Sequence, residues 1–299
     1  MADYTGSQIT INPLGFSSNK SQNTSYRMRA FSEAETNYTY WYSPFYPDDT
    51  GAFTGLSTTK NASTIFLWHM DGADNATTVA SNGKYTTSLV SQDNSNAYLT
   101  SSLGKFSSSG YFSGNSAASG KFIASTTTSR LQAISTATGS FTVECWAYPT
   151  NNDNSVRSLL HINTSAAQNF GLQIGIYNQT SIYVDNGIDS NTTITGAVTQ
   201  NAWNHIALTR LETTNRIFVN GVFLFSWTSL NNFSPDQIQL GGYAADNSFN
   251  WKGYVDEIRI SDVCLYKNSF SPPAEPFENF VRFGYNGLRD IVITKKVEI

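Results

Sequence analysis

One ten-residue stretch, residues 251–260, constrains the fold more than any other part of the chain; it reads Trp-Lys-Gly-Tyr-Val-Asp-Glu-Ile-Arg-Ile. Its alternation predicts a β-strand with Tyr254, Asp256, Ile258 and Ile260 on one face. Val255, Glu257 and Arg259 would lie on the other face. A carboxylate beside isoleucines must be hydrogen-bonded, paired or metal-bound, because unpaired burial costs several kcal/mol. The stretch therefore predicts a strand inside a two-layered sandwich.

Composition favours an all-β chain and excludes some classes of partner. Aromatic residues make up 14% of the 299 residues and charged residues 13%, and aromatic side chains are enriched in strands. The net charge of −4 argues against a nucleic-acid partner, which would require a basic face. No run approaches the roughly 20 apolar residues of a membrane helix, so we expect no membrane insertion.

The first residues and the cysteines indicate a reducing compartment. The N-terminal residues Met-Ala-Asp-Tyr-Thr-Gly-Ser lack the basic and apolar regions of a signal peptide, so we expect a chain made in a cytoplasm. Cys145 and Cys264 are too few for a disulfide framework. We expect both to be free thiols.

Three regions differ in pattern. Residues 1–60 carry scattered prolines and aromatics with few aliphatics, which predicts an extended N-terminal arm that docks on another surface. Residues 61–270 contain strand-like runs separated by Asn- and Gly-containing turns, as expected for a β-sandwich, although 73–110 reads as polar loop. Residues 271–299 form a short C-terminal tail with an apolar run, which could pair as a strand with the arm or a partner.

The strongest hairpin signal is Asn220-Gly221, which lies between two apolar runs. Asn-Gly supplies the two positive φ angles of a type I′ turn. The turn would place Val219 opposite Val222 and Phe218 opposite Phe223.

Six motifs occur in order along the chain: Leu67-Trp-His-Met-Asp-Gly72, Phe141-Thr-Val-Glu-Cys-Trp146, Trp203-Asn-His-Ile-Ala-Leu-Thr-Arg210, Phe218-Val-Asn-Gly221, Leu240-Gly-Gly242 and Gly253-Tyr-Val-Asp-Glu-Ile-Arg-Ile260. Together they resemble those of laminin-G-like, concanavalin-type jelly-roll domains. The resemblance implies two antiparallel sheets, one of them concave, over about residues 61–270. Domains of this kind bind sugars, bind proteins or act as spacers, so the fold does not fix the function.

The resemblance also implies a possible structural calcium ion, with Asp71 and Asp256 as candidate ligands. Calcium takes 6–8 oxygen ligands, so backbone carbonyls would have to complete the shell. The alternative is that Asp256 accepts hydrogen bonds and holds the terminal strand in place.

Seven residues are candidates for carbohydrate binding, because aromatic rings, planar amides and acids recognise sugars. They fall into three groups, each on one face of a predicted strand: Glu144, Trp146 and Tyr148 on the first strand, Gln173 and Tyr177 on the second, and Tyr183 and Asp185 on the third. They would line one groove. The alternative is that the aromatic rings pack beneath loops.

No catalytic residues are predicted. Glucanases of this fold carry Glu-x-Asp-x-x-Glu on a strand, and that pattern does not occur in this sequence. Asp256 and Glu257 are adjacent, so alternation places them on opposite sheet faces and they cannot form the pair of carboxyls that glycoside hydrolysis needs. A cross-strand pair of carboxyls, such as Glu144 with Asp185, is the alternative. His69, His161 and His205 have no neighbours at metal-ligand spacing.

The flanks are similar in style to accessory virion proteins of tailed bacteriophages: tail-fibre, tail-tip or capsid-decoration components. This implies a non-enzymatic structural protein of the virion that contacts other virion proteins, forms a homo-oligomer and presents its sandwich to a host surface glycan. A free carbohydrate-binding module is the first alternative. A polysaccharide-degrading enzyme on the same fold is the second.

Overall fold

The computed structural model describes residues 63–280 with six short gaps, together with four short strands outside that range. The gaps are 116–118, 151–152, 166, 186–191, 230–233 and 244–248. The chain divides into two compact units, residues 63–280 and residues 1–62 with 281–299. Most of the predicted arm and tail thus lies outside the described residues.

Strands make up nearly all of the regular structure. In chain order they are β1 Ile9–Ile11, β2 Tyr26–Arg29, β3 Tyr40–Ser43, β4 Thr64–Trp68, β5 Thr78–Ala80, β6 Ser88–Ser91, β7 Ala97–Thr100, β8 Ser109–Ser113, β9 Phe122–Ser125, β10 Phe141–Pro149, β11 Arg157–Thr164, β12 Ala167–Tyr177, β13 Ser181–Asp185, β14 Thr192–Ile194, β15 Asn204–Leu211, β16 Thr214–Val219, β17 Val222–Thr228, β18 Gln237–Leu240, β19 Lys252–Ser261 and β20 Ile291–Ile293. A 3-10 turn, Thr128–Leu131, leads into the short helix α1, Gln132–Ser135. Among the described residues, no helix has the length and apolar character needed to cross a membrane.

Two antiparallel sheets form the unit of residues 63–280. Sheet one has the order β17-β16-β15-β10-β19-β8-β7, with β4 also paired to β19. Sheet two has the order β14-β13-β12-β11-β18-β9-β6-β5. The other unit contains two antiparallel pairs, β1 with β20 and β2 with β3. The predicted all-β sandwich is confirmed.

The core lies between the inward faces of the two sheets. Phe141, Val143, Cys145 and Ala147 of β10 all point into it, which confirms the predicted alternation of that strand. The largest fully buried side chains are Trp68, Trp251, Phe66, Phe112, Phe122, Phe141 and Phe218. Each such side chain stabilises the fold by about 1.5–3 kcal/mol through its removal from water.

The predicted hairpin is confirmed. Asn220 and Gly221 have φ angles of 51° and 75°, and Val219 pairs with Val222 and Phe218 with Phe223. By contrast, the predicted loop over 73–110 contains three strands, β5, β6 and β7. These strands have three or four residues each, with only one or two buried, so their alternation is too short to stand out.

Strand β19 joins three neighbours. One edge pairs with β10, while the other edge pairs with β8 in its first half and with β4 in its second half. A β-bulge interrupts the pairing of β19 with β10. Trp146 pairs with Asp256 and Glu144 pairs with Arg259, so β19 has one more residue than β10 between the two pairs. Glu257 within the bulge has a φ of 51°.

The bulge overturns the predicted faces of β19. Val255 points into the core before it, and Ile258 and Ile260 do so after it. Asp256 and Glu257 both lie on the outward side. Two predictions are therefore wrong: Asp256 does not share a face with Ile258 and Ile260, and the two acids do not lie on opposite faces. The cause is the extra residue, which shifts the two-residue period by one.

Asp256 is buried and accepts three backbone hydrogen bonds. Its Oδ2 accepts from the N–H groups of Lys105 and Phe106 at 2.9 and 3.3 Å, and its Oδ1 accepts from that of Glu257 at 2.8 Å. Burial, and then the charge of Glu257, nevertheless raise the pKa of Asp256 to about 7, although the three N–H donors act in the opposite direction. A proton is therefore held more tightly by the folded protein than by the unfolded chain.

The raised pKa predicts a pH-dependent stability. Between about pH 4 and 7 the unfolded chain loses the Asp256 proton and the folded protein keeps it, so the free energy of unfolding should fall as pH rises. Asp256→Asn removes this contribution. Urea unfolding from pH 4 to 8 should show a decline in the wild type that is steeper than in the variant by up to about 1.4 kcal/mol per pH unit. Parallel curves for two folded proteins would contradict the assignment.

The hairpin glycine predicts a second stability effect. A Cβ on Gly221 would lie 1.9 Å from the carbonyl oxygen of Phe270, whereas Gly196, with a similar φ of 73°, has open space around it. Gly221→Ala should lower the free energy of unfolding by about 3 kcal/mol, from backbone strain and steric overlap together. Gly196→Ala carries the backbone strain alone and should cost about 1 kcal/mol. Equal losses in chemical denaturation would show that Phe270 does not crowd the turn.

Candidate functional site

The seven predicted carbohydrate-binding residues do not form one surface. Glu144, Trp146 and Tyr148 lie on β10 of sheet one. Gln173, Tyr177, Tyr183 and Asp185 lie on β12 and β13 of sheet two. Outward residues of two stacked sheets lie on opposite sides of the sandwich, so the seven cannot line a single groove. The same separation excludes Glu144 with Asp185 as a pair of catalytic carboxyls.

On sheet one, Glu144 is the centre of a buried polar network. Its Oε1 accepts from the Arg259 guanidinium at 2.6 and 2.8 Å, and its Oε2 accepts from Tyr266 Oη at 3.0 Å and from His205 Nε2 at 3.1 Å. Burial alone would raise the pKa of Glu144, but the Arg259 charge and the hydrogen bonds outweigh it and hold the pKa below its ordinary value. All four carboxylate contacts are internal, so Glu144 acts as a structural anion.

The network holds a segment that we call the C-terminal strap, residues 262–280. Besides Tyr266, the strap is fixed by a hydrogen bond from Thr142 Oγ1 to the carbonyl of Val263 at 2.8 Å. Near its end, the backbone N–H of Phe277 donates to Glu257 Oε2 at 2.7 Å. The strap therefore covers part of the outward face of sheet one and uses two of its acids.

Trp146 is packed beneath neighbouring side chains. The Lys105 ammonium lies 4.0 Å from the centre of its ring, and the rings of His205 and Phe106 lie 5.1 and 6.2 Å away. Only 6% of Trp146 is exposed. The alternative of an aromatic ring packed under a loop thus describes Trp146, whereas Tyr148 remains half-buried.

The two candidate calcium ligands have separate protein partners. Asp256 accepts the three N–H groups described above, and Asp71 Oδ1 accepts from the N–H of Ser108 at 3.3 Å. Across the described ranges, no three His, Cys, Asp or Glu side chains cluster as they would around a metal ion.

Sheet two carries the more coherent candidate site. Directly paired residues form a line across five strands, which we call the polar row: Asp185, Gln173, His161, Gln239 and Ile123. Their neighbours along the strands, such as Leu160, Ile162 and Ile174, point into the core. The polar row therefore lies on the outward face of the sheet.

Aromatic rings flank the polar row. Tyr243 stacks on His161 with ring centres 4.9 Å apart and planes 16° apart, and Lys121 Nζ donates to the Tyr243 carbonyl at 3.0 Å. Tyr183, two residues before Asp185 on β13, donates from its hydroxyl to Asp185 Oδ2 at 3.2 Å. Burial and the charge of Asp185 raise the pKa of Tyr183, so its hydroxyl remains a donor.

Two polar atoms in the row lack partners. His161 Nδ1 and Gln239 Oε1 are buried and make no hydrogen bond within the part of the chain that the structure describes. Burial, with a smaller effect of the Lys121 charge, lowers the pKa of His161 to about 3, so the ring is neutral at neutral pH. An unsatisfied buried polar atom costs about 1–3 kcal/mol, which a hydroxyl-bearing partner would recover.

Sequence reasoning found Gln173, Tyr183 and Asp185 of this site but not His161, Gln239, Tyr243 or Lys121. Gln239, Tyr243 and Lys121 belong to segments far from β12 and β13 in sequence, whereas His161 lies on β11, the strand before β12. The cross-strand register places His161 and Gln239 beside Gln173. The alternation of His161 between Leu160 and Ile162 marks it as outward-facing once β11 is recognised. Tyr177 lies on the same outward face of β12 as Gln173, further along the strand, and is 40% exposed.

Part of the chain matches a known family model. Residues 123–269 match the family model described as the concanavalin A-like lectin/glucanases superfamily. A search of curated proteins found no match.

Solved structures show the same architecture at low sequence identity. Trypanosoma rangeli sialidase in complex with sialic acid is 12% identical, with a TM-score of 0.52 over 72% of this chain and 32% of the sialidase. The binding domain of botulinum neurotoxin DC in complex with SialylT is 15% identical, with a TM-score of 0.50 over 69% of this chain and 49% of that one. At such identities the likeness concerns the fold. Residues 123–269 are therefore similar to the concanavalin A-like lectin/glucanases superfamily, and the solved structures share the fold of the sandwich.

Proposed function

We propose that the sandwich is a non-enzymatic glycan-binding domain whose ligand contacts the polar row of sheet two. The observation that carries the proposal is the alignment of Asp185, Gln173, His161 and Gln239 on one face, with two buried polar atoms unsatisfied. With strands about 4.8 Å apart, four such residues span about 14 Å, the size of a short oligosaccharide.

The chemistry of the row suits hydroxyl groups. Neutral His161 has one donor and one acceptor nitrogen, and the amides of Gln173 and Gln239 offer both kinds of group. Tyr183 and Tyr243 add aromatic surface at the sides. Sugar hydroxyls donate and accept in the same way, and the apolar faces of sugar rings pack on aromatic side chains.

A binding role agrees better than catalysis with the placement of the acids. Glycoside hydrolysis uses two carboxyls on either side of the scissile bond. Asp185 is the one carboxylate among the five residues of the polar row, and Glu144, Asp256 and Glu257 are engaged by internal donors on sheet one. We therefore assign no catalytic residues.

Substitutions in the row should weaken glycan binding. A glycan array containing sialylated and neutral oligosaccharides would identify a ligand, and calorimetry would measure its Kd. Gln173→Ala should raise the Kd by about five- to 100-fold, because a buried polar group left without its partner costs about 1–3 kcal/mol. Tyr243→Ala should weaken binding by removing the ring over His161.

Gln132→Ala is the matched control, since that glutamine is exposed in α1 and is not part of the polar row. It should leave the Kd unchanged. An array without hits, or equal Kd values for Gln173→Ala and the wild type, would reject the polar row as a glycan site.

We further propose that the chain is a component of a tailed-bacteriophage particle that displays this domain, with other virion proteins as partners and a host surface glycan as the ligand. Support comes from the second compact unit, in which both ends of the chain meet through β1 and β20. Such a unit would serve for docking and the sandwich for recognition. A free carbohydrate-binding module would have no need of it.

Truncation separates the two roles. Mass spectrometry of purified particles should detect the full-length chain, and a chain lacking residues 1–60 should be lost from particles while keeping its glycan affinity. Absence of the full-length chain from particles, or normal incorporation after truncation, would contradict a docking role. Loss of glycan binding by a truncated chain that keeps its circular dichroism would contradict the assignment of the ligand to sheet two.

A further inference from the structure

A line of five aromatic rings crosses the outward face of sheet one, and we call it the aromatic row: Tyr98, Tyr111, Tyr254, Tyr148 and Trp203. The four tyrosines are direct cross-strand partners on β7, β8, β19 and β10. Trp203 precedes β15, the next strand in the sheet. The row thus runs perpendicular to the strands.

The rings are in contact along the whole row. Successive ring centres are 5.0, 5.3, 6.0 and 5.6 Å apart, from Tyr98 to Trp203. With a strand spacing of about 4.8 Å, the row is about 20 Å long and one residue wide. All five residues are half-buried, so the row is partly exposed to solvent.

Mutual packing explains the buried parts of the rings but not their shared exposure. The strap covers other parts of this sheet, at Glu144 and Glu257, and leaves the row open among the described residues. On one side the row is flanked by Trp146, whose ring is covered by the Lys105 ammonium. On the other side it is flanked by the cross-strand pair of Ser113 and Lys252. A solvent-facing aromatic strip between polar neighbours is suited to an elongated ligand.

The exposed area favours a single chain over a folded protein partner. A whole tyrosine or tryptophan presents about 150–250 Å², so five mostly buried rings expose at most about 400 Å². A stable protein interface buries about 800 Å² on each partner. The row is therefore too narrow for a standard protein interface, whereas a linear chain of a few sugar units would cover it.

We propose that the aromatic row binds a linear polysaccharide that lies across the strands of sheet one. The C–H faces of successive pyranose rings would pack on the aromatic rings, and the tyrosine hydroxyls would exchange hydrogen bonds with sugar hydroxyls. Equatorially linked chains, such as β-1,4-glycans, suit the row because each unit presents two such faces. This site is on the opposite side of the sandwich from the polar row and does not depend on it.

Affinity electrophoresis tests the proposal with three soluble probes cast separately into native gels: hydroxyethyl cellulose, xylan and glycol chitin. The full-length wild-type chain should be retarded by at least one probe. The double variant Tyr111→Ala with Tyr254→Ala should bind that probe at least about tenfold more weakly, because the two central rings are lost. The matched variant Tyr111→Phe with Tyr254→Phe keeps the rings and should retain most of the retardation.

Further variants keep the result interpretable. If the central alanine variant does not fold by circular dichroism, Tyr98→Ala with Trp203→Ala removes the two ends of the row and should also weaken retardation. Gln132→Ala, in α1, should be retarded like the wild type, whereas retardation lost in Gln173→Ala and kept in the central alanine variant would place the probe on the polar row and overturn the proposal. Lack of retardation by all three probes would overturn the proposal, as would full retardation of a folded alanine variant. A wild-type dimer that the alanine variant converts to monomers, without retardation of either, would identify a self-association surface instead.

Discussion

The hydrogen-bonded pairing of β19 with three other strands is the constraint on which the rest of sheet one depends. The strand pairs with β10 along one edge, and with β8 and β4 in succession along the other. The change of partner coincides with the bulge at Glu257, where two residues face one. Without this extra residue, Ile258 and Ile260 would turn outward while Glu257 and Arg259 turned toward the core. The apolar centre and the acidic network are therefore consequences of the same irregularity.

A paired buried charge distinguishes the outward face of sheet one, where His205 Nδ1 and Trp146 Nε1 nevertheless also lack hydrogen-bond partners within the described residues. On sheet one, Glu144 is surrounded by Arg259, His205 and Tyr266, so its negative charge is balanced inside the protein. On sheet two, His161 and Gln239 keep unsatisfied atoms within the described part of the chain. A paired buried charge rigidifies its surroundings, whereas an unpaired polar atom favours a partner from outside. The acids that dominate the sequence pattern thus stabilise the fold, and less prominent residues form the candidate site.

The strands and the hairpin could be predicted because their signals are local. Alternation identified β10 and its inward residues, and Asn220-Gly221 fixed the register of β16 and β17. The bulge was missed because its left-handed residue is a glutamate and not a glycine, so the sequence carries no marker of it. The polar row was found in part, because Gln173 and Asp185 lie on nearby strands, while Gln239 joins them through a pairing between distant segments. Register between distant strands results from the whole fold, and a local pattern does not contain it.

The sandwich opens and closes at one place. The N–H of Asp262, just after β19, donates to the carbonyl of Ser63, just before β4, at 2.9 Å. The polypeptide therefore enters and leaves this β framework side by side, as a closed loop does. Domains with adjacent ends can be transplanted into a surface turn of a different host chain without stretching it. This geometry suits the sandwich to transfer between carrier chains as a unit, with its strands intact.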